Sequence, residues 1–190
     1  MIAIDVAILP PPDISRRAIE LSATLPRHES VGLRLSGDMP PHITLTQQFV
    51  QREEIDTVLD GVGSALAGWA PFRLTVTGAG HGGSPVWMAI DRTPALMELH
   101  RQLMDALHAF ERTGGTEAAF FNSDARVGDV EWVAGFRRSS SYEAFAPHIT
   151  LGHATTLPSV ELVTFDATTI AACHLGRYCT CRRVLRQWEL

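Results

Sequence analysis

The sequence contains no lysine, and its sixteen cationic side chains are all arginine. The formal net charge of −5 argues against a protein that coats long nucleic acid, because such binding needs a basic surface that displaces counterions. Any contact with nucleic acid is therefore expected to be small and local. A genome rich in G and C explains the arginine preference better than phosphate binding does, since phosphate binding would not require the loss of every surface lysine.

Long apolar runs are also absent, and none approaches the ~20 residues that span a bilayer. No basic region precedes the first apolar segment, so we expect neither a signal peptide nor a membrane helix, and we expect a cytoplasmic location. Hydrophobic residues make up 45% of the chain, which is ordinary for a globular protein with a core. A length of 190 residues suits two similar halves around one cleft, so we predict a single bilobal domain over 1–190.

Cysteine is scarce, and its three copies, Cys173, Cys179 and Cys181, lie close together beside His174. An odd number of cysteines fits a reducing compartment. These cysteines could instead bind zinc, but their spacing lacks the paired C-x₂₋₄-C arrangement of structural zinc sites. We interpret the three cysteines as small residues of a terminal hairpin, and we predict no metal and no cofactor.

One pentapeptide, Pro-His-Ile-Thr-Leu, occurs twice, at 41–45 and at 147–151. Each copy is typical of a strand, because isoleucine and threonine are β-branched, and alternation places its histidine and threonine on one face. The separation of the copies is too long for solenoid repeats, which recur every ~20 to 50 residues. A single duplication therefore explains the repeat, and we expect the two strands to present two imidazoles and two hydroxyls to a shared cleft.

The repeated His-x-Thr-Leu motif resembles that of the 2H phosphoesterase superfamily, in particular its RNA 2′,3′-cyclic phosphodiesterase and 2′-5′ RNA ligase-like branch. The resemblance extends in outline over nearly the whole chain. It implies an α+β fold with two antiparallel sheets, flanking helices and pseudo-twofold symmetry around a central cleft. The two histidines would then face each other across that cleft.

This resemblance implies that His42 and His148 are the catalytic residues, with Thr44 and Thr150 binding the phosphate. Free imidazole titrates near pH 6.5, so a pair of histidines can supply one neutral base and one protonated acid at neutrality. We expect metal-independent hydrolysis of a 2′,3′-cyclic phosphate at an RNA 3′ end or on a small nucleotide, by a monomer. The sequence leaves open which histidine is the acid, and whether the reverse ligation occurs.

Other functions use the same residues. The substrate could instead be ADP-ribose cyclic phosphate or a 2′-5′ linkage, and a noncatalytic protein could bind RNA ends or nucleotides in the same cleft. A metallohydrolase would use the histidines as ligands. Neither motif, however, has a carboxylate nearby at ligand spacing, which argues against this last alternative.

Further substrate contacts are predicted outside the two motifs. Arg137 and Arg138 begin a polar loop that leads into the second motif, and Tyr178 lies at the turn of the terminal hairpin. His153 stands where the superfamily commonly has arginine; its offset of five from His148 places it on the opposite face if the strand is regular, whereas a kink at Gly152 would change its direction. Gln47 and Gln48 follow the first motif and could bind a base or be solvated.

Hydrophobic periodicity predicts strands and helices in the rest of the chain. Helices are expected from Asp13 to Pro26, over 55–66, and from Pro94 to 110, the last with His100 and His108 on its surface or edge. A glycine-rich turn at 78–83 matches no phosphate-binding loop. The predicted strands cover 2–8, a short segment with Val31, Leu33 and Leu35, 72–76, 86–90, an irregular segment with Val130, Trp132 and Phe136, 167–175 and 179–185.

Overall fold

The computed structural model describes residues 1–30 and 32–190, which form two antiparallel four-stranded sheets with flanking helices. This is the predicted α+β class. The strands are β1 (Ile2–Leu9), β2 (Ile43–Val50), β3 (Phe72–His81), β4 (Pro85–Ile90), β5 (His148–His153), β6 (Val163–Ala167), β7 (Thr169–Gly176) and β8 (Thr180–Glu189). The helices are α1 (Pro12–Thr24), α2 (Ile55–Leu66), α3 (Pro94–Leu107) and α4 (Val127–Ser139). None of these helices has the length and apolar character that would let it cross a membrane.

The two sheets have corresponding strand orders, β2-β1-β7-β8 and β5-β4-β3-β6. In each sheet the strand that carries the repeated motif lies at the edge, next to an antiparallel strand that precedes it in the chain. The pseudo-twofold arrangement predicted from the repeat is therefore confirmed. It places the two motifs at equivalent positions of the two sheets.

Each sheet is covered by a helix that follows a strand of the other sheet. Helix α1 leaves β1 but packs against β5, and α3 leaves β4 but packs against β2. The helices contribute apolar stripes with residues such as Ile14 and Ala18 on α1 and Leu96 and Leu99 on α3. Because the stripes and the inner faces of both sheets join one core cluster, the two halves fold around shared apolar contacts.

His100 on α3 is buried, so the prediction that it lies on the helix surface or edge is wrong. Its Nδ1 bonds to the carbonyl oxygen of Leu45 at 2.7 Å, and its Nε2 accepts from the backbone N–H of Tyr142 at 2.8 Å. Its ring stacks on Phe145 with centroids 3.9 Å apart. This histidine therefore links the first motif to the segment just before the second, a structural role that explains its burial.

The segment with Val130, Trp132 and Phe136 is helical, so the predicted irregular strand is wrong. The buried residues of α4 are Asp129, Val133 and Phe136, which follow helical spacing. Only two of these three are apolar, and Trp132 is exposed, so the sequence shows no clear apolar stripe.

Three smaller differences between the predicted and the observed structure concern strands. Leu33 and Leu35 form no strand, and Val31 lies outside the described residues. Residues 78–81 belong to β3, so the glycine-rich turn is confined to 82–84. Strand β6 was not predicted as a separate element, because only Phe165 and Ala167 of its five residues are buried.

We predict that Ser22→Ala destabilises the protein by about 1–3 kcal/mol, the usual result of leaving buried polar groups without partners. The Ser22 hydroxyl on α1 donates to the Leu151 carbonyl of β5 at 2.6 Å and accepts from the Leu35 N–H at 3.0 Å. Urea unfolding followed by circular dichroism measures the change. Ser64→Ala removes an exposed hydroxyl and is the control, expected within about 0.5 kcal/mol of wild type. Equal stability of the two variants would contradict this role of Ser22.

Candidate active site

The two motif histidines lie in one site. Strands β2 and β5 contact each other; His42 directly precedes β2 and His148 begins β5. The pKa of His148 is lowered mainly by burial, and the charge of His42 lowers it further. The contact between β2 and β5 therefore brings together histidines from opposite halves of the chain.

Both imidazoles are held in the same way. His42 Nδ1 lies 2.9 Å from the Pro40 carbonyl oxygen, and His148 Nδ1 lies 2.7 Å from the Ala146 carbonyl oxygen. A carbonyl oxygen can only accept, so Nδ1 carries hydrogen in each ring. Nε2 is then the nitrogen left for proton transfer in both histidines.

Trp87 covers His148, with ring centroids 4.7 Å apart. It lies on β4 directly opposite Thr150, on the face that the motif side chains share. A Cβ atom at Gly80 would come within 2.3 Å of the Trp87 indole nitrogen. The glycine-rich segment therefore makes room for the indole that covers His148. This role of the segment is unrelated to phosphate-binding loops.

Asp5 on β1 is a site residue that the sequence prediction missed. Its side chain is fully buried, and Oδ2 lies 3.9 Å from His42 Nε2. Oδ2 also accepts hydrogen bonds from Thr44 Oγ1 at 2.7 Å and Gln47 Nε2 at 2.8 Å. Burial raises the pKa of Asp5, and the charge of His42 and these hydrogen bonds oppose the rise. The available signal was a lone carboxylate inside an otherwise apolar strand, which is costly unless it has a partner.

The two motif threonines differ in their hydrogen bonding although the motifs are identical in sequence. The Thr44 hydroxyl donates to Asp5. The Thr150 hydroxyl makes no hydrogen bond with any residue that the structure describes. Thr150 can therefore donate to a substrate without giving up an existing partner.

Gln47 is buried and connects the site to its rim. Its Oε1 accepts from the Trp132 indole N–H at 2.9 Å, and Trp132, on α4, is 46% exposed. Gln48 is buried as well and donates to the Leu107 carbonyl oxygen. Neither glutamine is solvated, and the exposed aromatic surface beside the site belongs to Trp132.

A β-bulge lies at the leucine of each motif. Opposite β1 the pairing skips Leu45, and opposite β4 it skips Leu151. The extra residue shifts the alternation by one, so Gln47 returns to the face of Thr44 and His153 returns to the face of Thr150. Placement of His153 on the opposite face was expected only for a regular strand, and the bulge at Leu151 removes that condition.

His153 and Tyr178, two predicted substrate contacts, are neighbours. Their rings are 5.7 Å apart, and the Arg126 guanidinium stacks over the Tyr178 ring at 3.8 Å from its centroid. Burial, and then the charge of Arg126, lowers the pKa of His153. The structure thus adds Arg126, which the sequence prediction missed, to this side of the site.

Arg137 and Arg138 end helix α4 and do not form the predicted loop. Arg137 donates to the Glu111 carboxylate, to Tyr142 Oη at 2.7 Å and to the Met104 carbonyl oxygen at 2.7 Å. Its three nitrogens therefore serve structural contacts. Arg138 is exposed in the last turn.

The cysteines lie in the β7–β8 hairpin region as predicted, and His174 pairs with the Ala119 carbonyl oxygen. Cys181, however, lies beside two site residues. One donor atom each of Asp5, His42 and Cys181 falls within 4.8 Å of the others. Among the residues that the structure describes, these three could hold a metal ion.

A family model for the 2′-5′ RNA ligase superfamily matches residues 10–171, which include both motifs. The chain belongs to this superfamily. Its members are 2H phosphoesterases, as the repeated motif suggested. No curated protein matches the chain.

Solved structures of similar fold cover nearly the whole chain. Escherichia coli LigT, solved with NADP⁺, is 20% identical with a TM-score of 0.65, covering 98% of this chain and 96% of LigT. The protein TT0787 of Thermus thermophilus is 17% identical with a TM-score of 0.68, covering 100% and 98% of the two chains. A protein described as a phosphoesterase is 21% identical with a TM-score of 0.65, covering 98% and 97%. At these identities the similarity establishes the shared fold.

We predict that Trp87→Ala raises the pKa of His148 towards the ordinary histidine value, because the indole contributes to the burial that lowers it. NMR titration of the imidazole carbon-bound protons measures the pKa. Trp132→Ala, which removes an indole bonded to Gln47, is the matched control and should leave His148 unchanged. An unaltered His148 pKa in the Trp87 variant would contradict the role of the indole in burying His148.

Proposed function

We propose that this protein is a metal-independent cyclic phosphodiesterase that opens 2′,3′-cyclic phosphates at RNA ends or on nucleotides. The observation that carries the proposal is the pair of imidazoles in one site, each with Nδ1 held by a carbonyl oxygen. Two such groups supply the base and the acid that opening a phosphodiester requires, each worth roughly 10² to 10⁴ in rate.

We infer the roles of the two histidines from their surroundings. Burial under Trp87 lowers the pKa of His148 and favours the neutral ring, which suits a base that takes a proton from the attacking water. With His148 assigned as the base, His42 is left as the acid, and Asp5 Oδ2, 3.9 Å from its Nε2, can form an ion pair with it. His42 would therefore protonate the departing ribose oxygen.

The phosphate would be held by hydroxyl donors on the same face. Thr150 has its hydroxyl available, whereas Thr44 must share its hydroxyl with Asp5. Donors of this kind stabilise the charge that develops on the nonbridging oxygens. We expect Thr150 to contribute more of this stabilisation.

The rim of the site and the solved structures of similar fold support this substrate class. Escherichia coli LigT has been solved with ATP, with 3′-AMP and with phosphate. The exposed Trp132 ring offers a surface on which a nucleobase can stack, a contact that tolerates any base. A net charge of −5 favours a short RNA end or a small nucleotide over long nucleic acid. We expect the protein to act as a monomer in the cytoplasm, where its free cysteines stay reduced.

We predict that metal-free wild-type protein hydrolyses nucleoside 2′,3′-cyclic phosphates, and that His42→Ala and His148→Ala each lower kcat/KM by about 10²- to 10⁴-fold. The double variant should be little worse than the poorer single variant, because acid and base act in one transition state. Product formation is followed by chromatography. His108→Ala, an exposed histidine at the end of α3, is the control.

The substrate panel separates this proposal from its alternatives. It includes RNA ending in a cyclic phosphate, ADP-ribose cyclic phosphate and a 2′-5′ dinucleotide, which test other substrates of the same site. Binding of all of them without turnover would leave a noncatalytic binding protein. Full activity in either histidine variant would overturn the two-histidine mechanism.

We also predict that the two threonines are unequal. Thr150→Val should lower kcat/KM by about 10²- to 10³-fold, the usual effect of losing one donor to a developing oxyanion. Thr44→Val should cost less, since its hydroxyl already donates to Asp5. Steady-state kinetics measure both, with Thr24→Val, an exposed residue of α1, as the control. A larger loss in the Thr44 variant would reverse the assignment.

A further inference from the structure

Three potential metal ligands meet beside His42. Asp5 comes from β1, His42 from the start of the first motif and Cys181 from β8, and one donor atom of each lies within 4.8 Å of the others. A carboxylate, an imidazole and a thiolate form a ligand set that Zn²⁺ accepts, and three protein ligands leave a fourth position open. Small movements of the side chains would bring these atoms to ordinary zinc distances.

His42 is already oriented as a metal ligand. Its Nδ1 is held by the Pro40 carbonyl oxygen, so Nε2 faces Asp5. Histidines that bind metals usually donate their other ring N–H to a carboxylate or backbone carbonyl in this way. The contact fixes the tautomer that leaves the Nε2 lone pair for the ion.

Asp5 supplies an independent indication of a ligand. Its Oδ2 has three polar neighbours, but Oδ1 is buried without a hydrogen-bond partner in the part of the chain that the structure describes. A buried carboxylate oxygen without a partner is costly and rare. A bound cation would satisfy this oxygen.

The charge of the three ligands and the access of the site to solvent also suit a bound Zn²⁺ ion. One carboxylate and one thiolate balance the two positive charges of Zn²⁺, so the occupied site would be neutral in its buried surroundings. Asp5 and Cys181 are buried, but the His42 side chain is 11% exposed and gives the ion a way in.

We propose that Asp5, His42 and Cys181 bind Zn²⁺, and that the bound ion inhibits the enzyme by occupying His42 Nε2. A nitrogen that coordinates zinc cannot carry the proton that His42 would give to the leaving oxygen. The inhibitory part rests on the proposed function, whereas metal binding does not depend on it.

Metal binding is tested first, without substrate. Calorimetric titration of the metal-free protein with Zn²⁺ should give one ion per chain, and Co²⁺ should produce the near-ultraviolet absorption of a cobalt–thiolate bond. Cys181→Ala should abolish this absorption and weaken zinc binding at least tenfold, and Asp5→Asn should also weaken it. Cys179→Ala removes a half-buried thiol outside the cluster and should change neither measurement. Absence of binding by wild type, or unchanged affinity in Cys181→Ala, would overturn the site.

Inhibition is tested with the cyclic phosphate substrate. Metal-free wild type should be active and lose activity as Zn²⁺ is added, whereas Cys181→Ala should keep its activity and need at least tenfold more zinc for the same inhibition. Equal inhibition of both proteins, or activity that requires zinc, would overturn the inhibitory role. If the metal-free protein opens no cyclic phosphate but still binds zinc through Cys181, the proposed function fails and the metal site stands.

Discussion

The hydrogen bond from each site imidazole to the carbonyl oxygen two residues earlier is the constraint on which the proposed chemistry depends. In both copies a proline separates donor and acceptor, Pro41 before His42 and Pro147 before His148. Proline fixes its own φ and biases the preceding residue towards an extended conformation, so the accepting carbonyl is held in place by local sequence. The pentapeptide therefore encodes both a histidine and the tautomer that the histidine adopts.

The two fixed histidines share a site only because the two halves of the chain are packed into each other. Helix α1 covers β5 and α3 covers β2, so neither motif strand is supported by its own half alone. His100 adds a polar link between Leu45 and the segment before His148. Loss of either helix contact would displace one imidazole relative to the other, and proton transfer tolerates little displacement.

The two identical motifs have different surroundings in this fold. Burial beside Trp87 favours a neutral His148, whereas His42 Nε2 lies 3.9 Å from the Asp5 carboxylate, which also accepts the hydrogen bond from the Thr44 hydroxyl. A symmetric pair of histidines would not by itself distinguish an acid from a base. The neighbouring strands β1 and β4 supply the difference, and Asp5 adds the possibility of metal binding at the same imidazole.

The sequence by itself determined the repeat and the motif strands, because these follow from local periodicity and from adjacent residues, and the resemblance of the repeated motif implied the superfamily and its α+β class. The sequence did not identify Asp5 or Cys181 as neighbours of His42, since strand pairing brings them there from distant positions. It also left open which face His153 occupies, because a bulge at Leu151 is a property of the pairing between strands and not of one strand. Alternation along a chain defines a face only where the ladder is regular, so tertiary pairing decided which side chains line the site.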